Sequence, residues 1–423
     1  MKFEYMLLLF SFLLFFILFI EYKRDKASPL VIFLLIWSLI FILYGLGLYG
    51  INNVDITTEL ALIFGVIFFI FGFFFARIIK IKKKEQFSCQ NTGSFAIIKV
   101  IAILDIIYMV PKYFLKIGML LQNGWSLTGA KSLLGEGNDM FVLYIFDPFN
   151  FFLVALTSYL LIYNRKQKFL IIVGIVINAI TVVATGSRGR LIFFILSFLS
   201  MIVSEYGENF KQVKKKVKSL VFLIFMIIVA ISNYGFGILK SVYFYLCACV
   251  PLLDGIITRT DSHFTRGFTY GALSLNGILR VIPNFIQNYV SPNFSLNEFD
   301  LAEKYIEYME YAKEIAPGEI SNSFYSFVGN FYLDFGWTGI IIVSFIYGGI
   351  ICSLYKKYRG NRDAKSKMIL AFIYYAMFFS MVRCPWMNIR FAIGFIYIFL
   401  FDILSNLGKH TKVRREKNDL YCS

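Results

Sequence analysis

The sequence predicts an all-α, polytopic membrane helix bundle of about eleven transmembrane helices with one large outer loop. Three observations carry that prediction. Of 423 residues, 58% are apolar and only 16% charged, too apolar a composition for a water-soluble chain of this length. Apolar runs of roughly 20 residues, the length needed to cross the hydrocarbon layer, recur between charged segments. Lys and Arg are then divided unequally between alternate segments, which marks a cytoplasmic and an outer side.

In chain order the expected spans are Tyr5 to Ile20, Pro29 to Tyr49, Thr58 to Ile79, Ser94 to Ile117, Phe141 to Tyr163, Phe169 to Ala184, Leu191 to Val203, Leu220 to Leu239, Thr338 to Leu354, Met368 to Val382 and Phe391 to Leu407. One parity of connecting segments collects Lys23, Arg24 and Lys26, then Arg77 and Lys80 to Lys84, Arg165 to Lys168, Lys211 to Lys218, Lys356 to Lys367, and Lys409 to Lys417. Positive charge is retained on the cytoplasmic side of short loops, so the amino terminus is expected outside and the carboxyl terminus inside. The formal charge of +16 is therefore mainly a topology signal, and no nucleic-acid partner is expected. The first span lacks a small-residue cleavage site and is followed by Lys23 and Arg24, so it is expected to remain as a helix.

The apolar stretch Val242 to Ile257 would, as a further crossing, place Lys356 to Lys367 outside, so it is expected to be interfacial or re-entrant. Six cysteines in a chain of this size are expected as free thiols, with Cys247, Cys249 and Cys384 on the outer side. Neither His263 nor His410 has the Cys or His neighbours of a zinc site, and no metal or other cofactor is expected.

The single multi-pass domain, residues 1–423, contains one segment large enough to carry a site, the outer loop over residues 240–337. It is rich in Tyr, Phe, Leu and Ile, which argues for ordered membrane-surface helices rather than disorder. Asp300 with Glu303 reads as a capping box opening a helix from Leu301 to about Glu314, stopped by Pro317 and Gly318. Leu301, Tyr305, Tyr308, Met309 and Ala312 would share one face, and Glu303, Glu307, Glu310 and Glu314 the other.

The positive-inside bias removes Arg from short outer loops unless something retains it. Yet Arg188 and Arg190 stand in Thr185-Gly186-Ser187-Arg188-Gly189-Arg190, Arg383 and Arg390 flank Pro385 and Trp386, and the long loop adds Arg259, Arg266 and Arg280. A guanidinium is a rigid fork of donors that matches phosphate geometry, so outward arginines at headgroup depth suit a lipid-linked phosphate or pyrophosphate. Asp105 sits mid-span, where an ionisable group marks either a functional site or a tie to another helix. Lys99, six residues earlier, is off its face.

The Thr185 to Arg190 turn opening an apolar helix, the loop with Arg266 to Gly277 and Arg280-Val281-Ile282-Pro283, and the segments Asn322-Ser323-Phe324-Tyr325 and Phe331-Tyr332-Leu333-Asp334-Phe335-Gly336 together resemble the Wzy-type oligosaccharide repeat-unit polymerases of bacterial surface polysaccharide assembly, such as O-antigen and capsule polymerases. The resemblance covers topology over nearly the whole chain, and its local motifs are short. It implies a fold like that of lipid-dependent GT-C glycosyltransferases and a location in the bacterial cytoplasmic membrane. It also implies a metal-independent transfer on the outer face, in which a growing chain on undecaprenyl pyrophosphate passes to a new lipid-linked unit. The partners it implies are that undecaprenyl-pyrophosphate-linked oligosaccharide, membrane lipid, and a flippase and chain-length regulator of the same pathway.

A departing pyrophosphate needs mainly charge stabilisation, so Arg188 and Arg190 are the first expected contacts, followed by Arg266, Arg280 and Arg383. The attacking hydroxyl needs a base, for which Asp334, Glu319, Asp261 and His263 are candidates in that order, Asp334 leading because it lies near the outer end of a span. Tyr270, Tyr325, Tyr332 and Trp337 are candidates to stack on sugar rings. Glu298-Phe299-Asp300 has the acid-x-acid form that some lipid-dependent glycosyltransferases use for a metal, but helix capping accounts for it. Two other classes compete. An O-antigen ligase shares the architecture, and His263 near Arg259 and Arg266 supports it. A lipid-linked oligosaccharide flippase or transporter would concentrate charge inside the membrane and show internal repeats, whereas only Lys99 and Asp105 read as intramembrane.

Overall fold

The computed structural model describes residues 6–79, 95–122, 140–185, 188–206, 238–359, 361 and 363–401. Almost every described element is a helix, and the outward-facing side chains are apolar: Phe12 and Phe16 are 63% and 64% exposed. Large aromatics turned outward along whole helices belong in lipid, and the chain is an α-helical membrane protein. Five helical stretches have the length and apolarity to cross a bilayer: Met6–Arg24, Ile56–Ile78, Val142–Tyr163, Leu239–Ile257 and Ser326–Tyr358. Shorter apolar helices cover Pro29–Gly45, Lys168–Ala184, Gly189–Val203 and Ile389–Phe401. The expected span Leu220 to Leu239 and the short loop Leu121 to Met140 fall largely outside the described residues, as does His410.

The chain forms two compact units. The first draws on Met1–Lys82, Val203–Lys357 and Ala376–Asn388. It begins with α1 (Met6–Arg24), α2 (Pro29–Gly45) and α3 (Ile56–Ile78). Pro29 opens α2 at a position where its missing N–H costs nothing, and Asp55 caps α3 by accepting from the Thr57 N–H at 2.8 Å. Beyond the long loop, the stretch α12 (Ser326–Thr338), a π-helical turn (Gly339–Val343) and α13 (Ser344–Tyr358) packs on α3. The core between them is aromatic: Phe33 stacks on Phe69 at 4.1 Å, and Trp37 meets Phe327 edge-on.

This packing depends on glycines. A Cβ on Gly72 would lie 1.8 Å from the Phe345 carbonyl oxygen, and one on Gly348 would lie 2.0 Å from that of Phe69. In lipid, where helices gain no hydrophobic drive to associate, such close backbone approach supplies the dispersion contacts.

The second unit draws on Lys83–Ile202, Tyr358–Tyr375 and Ile389–Ser423. Its helices are α4 (Ala96–Gln122), α5 (Asp147–Tyr163, entered through the π-helical turn Val142–Phe146), α6 (Lys168–Thr185) and α7 (Arg188–Tyr206). Parts of α14 (Ala364–Phe379) and α15 (Ile389–Phe401) complete it. Phe193 sits at its centre against Phe151, Phe372 and Tyr375.

The remaining elements belong to the first unit, and two of them differ from expectation. The stretch expected as interfacial or re-entrant is helical, α8 (Ile238–Cys247) being followed directly by α9 (Cys249–Ile257). The ninth expected span, from Thr338, is preceded by a further helix from Ser326 that Gly336 (φ 62°, ψ −145°) kinks away from it, so the loop proper runs from Thr258 to Tyr325. Asn330 and Asp334 hid this preceding helix, because polar residues inside an apolar run look like loop until their buried partners are known. Finally, the capping box does not form. The short α10 (Val281–Tyr289) is followed by α11 (Asn297–Met309), whose cap residue is Leu296, and Asp300 lies inside its first turn. Lys313–Ala316 and Glu319–Ser321 are strands β1 and β2, with Pro317 and Gly318 (φ 74°) forming the turn of a hairpin. The amphipathic pattern holds in part: Tyr305 and Met309 are buried and Glu303, Glu307 and Glu310 face out, but Ala302 is buried where Leu301 is expected, and Ala312 lies exposed beyond the helix.

Replacing Gly72 by Ala is expected to abolish the monodisperse folded protein on detergent size exclusion, because the methyl group would overlap a backbone carbonyl. Gly118→Ala, with open space around it, is expected to elute as wild type; equal behaviour of the two would overturn the crossing.

Candidate functional site

The long loop of the first unit is organised by one carboxylate. Asp334, 1% exposed on α12, accepts from the Thr269 hydroxyl at 2.5 Å and from the N–H groups of Gly271 (3.0 Å), Leu273 (3.2 Å) and Ser274 (3.1 Å). The first of the candidate bases therefore has both oxygens committed to holding the segment Thr269 to Ser274. Tyr270 in that segment takes φ 48° and presents its ring outward, 67% exposed.

Upstream of this anchor, the chain turns at Arg259 and Asp261 to form a helical turn over Ser262–Phe264. One Asp261 oxygen accepts from the His263 N–H at 3.1 Å and faces His263 Nδ1 at 2.8 Å, while the other meets the Lys313 ammonium from β1. A carboxylate can only accept, so Nδ1 carries a proton, and in the neutral ring Nε2 is the acceptor. The imidazole is about half exposed and lies against Tyr308, ring centroids 4.5 Å apart. Burial lowers the Lys313 ammonium to about 8 even with Asp261 beside it. Arg259 and Arg266 flank this pair and are both exposed. Their guanidinium groups lie over Phe268 (5.6 Å) and Tyr308 (5.8 Å), and neither has a carboxylate partner among the described residues. The Tyr305 hydroxyl donates to the Gly267 carbonyl at 2.8 Å, and burial raises its phenol above the usual range. The result is an imidazole oriented by Asp261 on an exposed loop, with an exposed arginine on either side of the pair in sequence.

The other arginines expected to hold phosphate are placed differently. Arg280 donates to Glu303 at 2.5 Å and to Asn284 at 2.5 Å, with Asp300 at 3.6 Å, so its charge is already balanced and Asp300 serves this pairing. Arg383 donates to Glu310 at 3.0 Å, whose second oxygen accepts from Ser323. Glu319 on β2 meets Lys240 at 2.5 Å. Of the expected sugar-stacking residues, Tyr325 and Tyr332 are buried, so their ring faces are covered by protein, whereas Trp337 is partly exposed beside Phe64.

In the second unit, Gly186 and Ser187 lie outside the described residues, as does the Arg188 side chain, although Arg188 begins α7. Arg190 is 4% exposed. It donates to Asp147 at 2.9 Å and lies over Phe151. The second Asp147 oxygen meets Arg390 Nε at 2.8 Å, and the Tyr113 hydroxyl donates to the first at 3.2 Å. Asp105 accepts from Asn150 at 3.3 Å, a tie between α4 and α5 that leaves Lys99 uninvolved. Sequence reasoning passed over Asp147. An acid followed by Pro148 inside the apolar run Phe141 to Tyr163 was the available signal, since an intramembrane carboxylate requires a cationic partner. The buried ionisable residues thus extend beyond Asp105 to Asp147 and Arg190, while Lys99 is only partly buried.

Among the described residues no three Cys, His, Asp or Glu side chains gather as a metal cluster. Cys247, Cys249, Cys352 and Cys384 are free and buried. No protein-family model, curated protein or solved structure matches the chain.

Asp334→Ala would leave the Thr269 hydroxyl and three N–H groups without their acceptor, at about 1–3 kcal/mol for each buried group left unsatisfied. A fall of several degrees in the thermal midpoint of the purified protein is expected; a midpoint within about 2 °C of wild type would rule out the anchoring role.

Proposed function

We propose that the chain is a membrane glycosyltransferase of the polysaccharide-polymerase type, acting without a metal on the outer face of the bacterial cytoplasmic membrane. The observation that carries this reading is the Asp261–His263 pair between Arg259 and Arg266. The terminal hydroxyl of an incoming lipid-linked unit attacks the anomeric carbon of the growing chain, and His263 Nε2 takes its proton. The bond from that carbon to the pyrophosphate oxygen breaks, and Arg259 and Arg266 stabilise the charge on the departing undecaprenyl pyrophosphate. Asp261 holds the ring tautomer, and Lys313 holds Asp261. This moves the base from Asp334 to His263, and it brings Arg259 to the pyrophosphate beside Arg266. Tyr270 supplies an exposed ring for a sugar face.

The same loop favours a second reading, the ligase that transfers finished polymer to a final acceptor, because an oriented imidazole between arginines serves either acceptor hydroxyl. The banding of surface polysaccharide in a deletion strain separates them. Loss of a polymerase leaves single repeat units on the final acceptor, and loss of a ligase leaves polymer on the carrier lipid.

His263→Ala at normal protein level is expected to reduce chain elongation by about 100-fold or more, the usual worth of a general base. Asp261→Asn is expected to fall between that variant and wild type, and wild-type ladders in His263→Ala would reject the base. A topology reporter fused after Gly207 is expected on the cytoplasmic side and one after Asn297 outside; the reverse pattern would invert the site's placement.

A further inference from the structure

The carboxyl-terminal ends of α1 and α3 enclose a cleft of about 250 Å³ lined by Arg24, Phe74, Arg77 and Ile78, and the transfer reaction makes no use of it. Two carboxylates, Glu21 and Asp25, lie beside its guanidinium groups, and the three cations Arg24, Arg77 and Lys356 exceed them by one charge. Glu21, 1% exposed, spends both oxygens on Arg77, which pins the end of α1 to α3 and still leaves Arg77 donors over. Asp25 is buried and accepts from the Tyr355 hydroxyl at 2.8 Å and the Ala27 N–H at 3.2 Å. The last carbonyls of α3 would repel an anion, but the Lys356 ammonium covers those of Ala76, Arg77 and Ile79 at 3.1, 2.9 and 2.6 Å. Arg24 is exposed and has no ion-pair partner among the described residues. The other wall is apolar and turned outward: Ile78 is 80% exposed, and Phe71 and Phe75 continue the same face along α3.

We propose that this cleft binds the phosphodiester head of an anionic membrane phospholipid. Arg24 and the free donors of Arg77 take the phosphate, and an acyl chain lies along Phe71, Phe75 and Ile78. A guanidinium pair matches phosphate oxygens in geometry and charge, and basic pockets at the ends of membrane helices suit anionic headgroups. The apolar wall selects a lipid over a soluble phosphate, because a free anion gains nothing from exposed Phe and Ile. Arg24, Arg77 and Lys356 belong to the segments assigned to the cytoplasmic side, so the lipid is one of the inner leaflet.

Native mass spectrometry of the full-length protein, released from detergent with phosphatidylglycerol or phosphatidylcholine of identical chains, tests this. Phosphatidylglycerol is expected to be retained preferentially, and Arg24→Glu is expected to weaken its retention by about tenfold or more. Arg165→Glu, the same charge change on another exposed arginine, is expected to leave retention unchanged. Arg77→Lys keeps the charge facing Glu21 but loses the planar fork, and intermediate retention is expected. Equal retention of the two lipids, or equal loss in Arg24→Glu and Arg165→Glu, would reduce the effect to general surface charge and overturn the site. Displacement of the lipid by millimolar inorganic phosphate would overturn the assignment to a phospholipid.

Discussion

The carboxylate of Asp334 is the constraint on which the outer surface depends. It sits on a membrane helix yet organises a loop more than sixty residues away in sequence, because four donors of Thr269 to Ser274 converge on its two oxygens. A charged group so deeply buried persists only when its lone pairs are filled. Here the filling groups are mostly backbone, so the path of the loop and the charge state of the acid determine each other. With that segment anchored, Tyr305 closes on the Gly267 carbonyl, and the turn carrying Arg259, Asp261, His263 and Arg266 is held against α11 and β1. The residue best placed by its sequence position to act as a base is instead the one that anchors the loop.

Compensation also sorts the arginines. Arg190, Arg280 and Arg383 each meet a carboxylate, and Arg77 meets Glu21, so their charges stabilise helix contacts in surroundings where an unpaired ion is costly. Arg259, Arg266 and Arg24 make no ion pair with a described carboxylate, although Arg24 acts on Glu21 from further away. All three are exposed, and exposed cations beside aromatic or apolar surface attract amphiphilic anions. Two lie on the loop proposed for catalysis and the third on the cleft proposed for lipid. Within the first unit these lie toward opposite ends of α3, whose amino terminus is bound through Thr58 and Asp55 to Asp254 and whose carboxyl terminus is covered by Lys356.

Hydrophobic periodicity and charge were enough to place most of the helices, because a bilayer demands long apolar runs and the cost of moving Lys and Arg across it leaves a record in the loops. The expected spans that fall on described residues all coincide with helices, within a few residues at most ends. The exceptions share a cause. Ser326 to Thr338 carries Asn330 and Asp334, and Asp300 has the spacing of a cap; in each case a polar residue was read by its local pattern when a distant partner decided its place. Asn330 Oδ1 accepts from the Cys384 N–H at 2.7 Å, and Asp300 faces Arg280.

The sequence by itself determined that this is an α-helical membrane protein, where the charges lie along it, and that a loop rich in arginine and aromatic residues stands apart from the helices. Only the tertiary structure decided which arginines are free to meet a ligand. An arginine in the sequence is the same letter whether Asp147 lies against it or water does, and pairing is a property of distance between residues far apart in the chain. The sequence could therefore nominate Arg190 and Arg266 equally, while the fold buries the first against a carboxylate and leaves the second exposed beside His263.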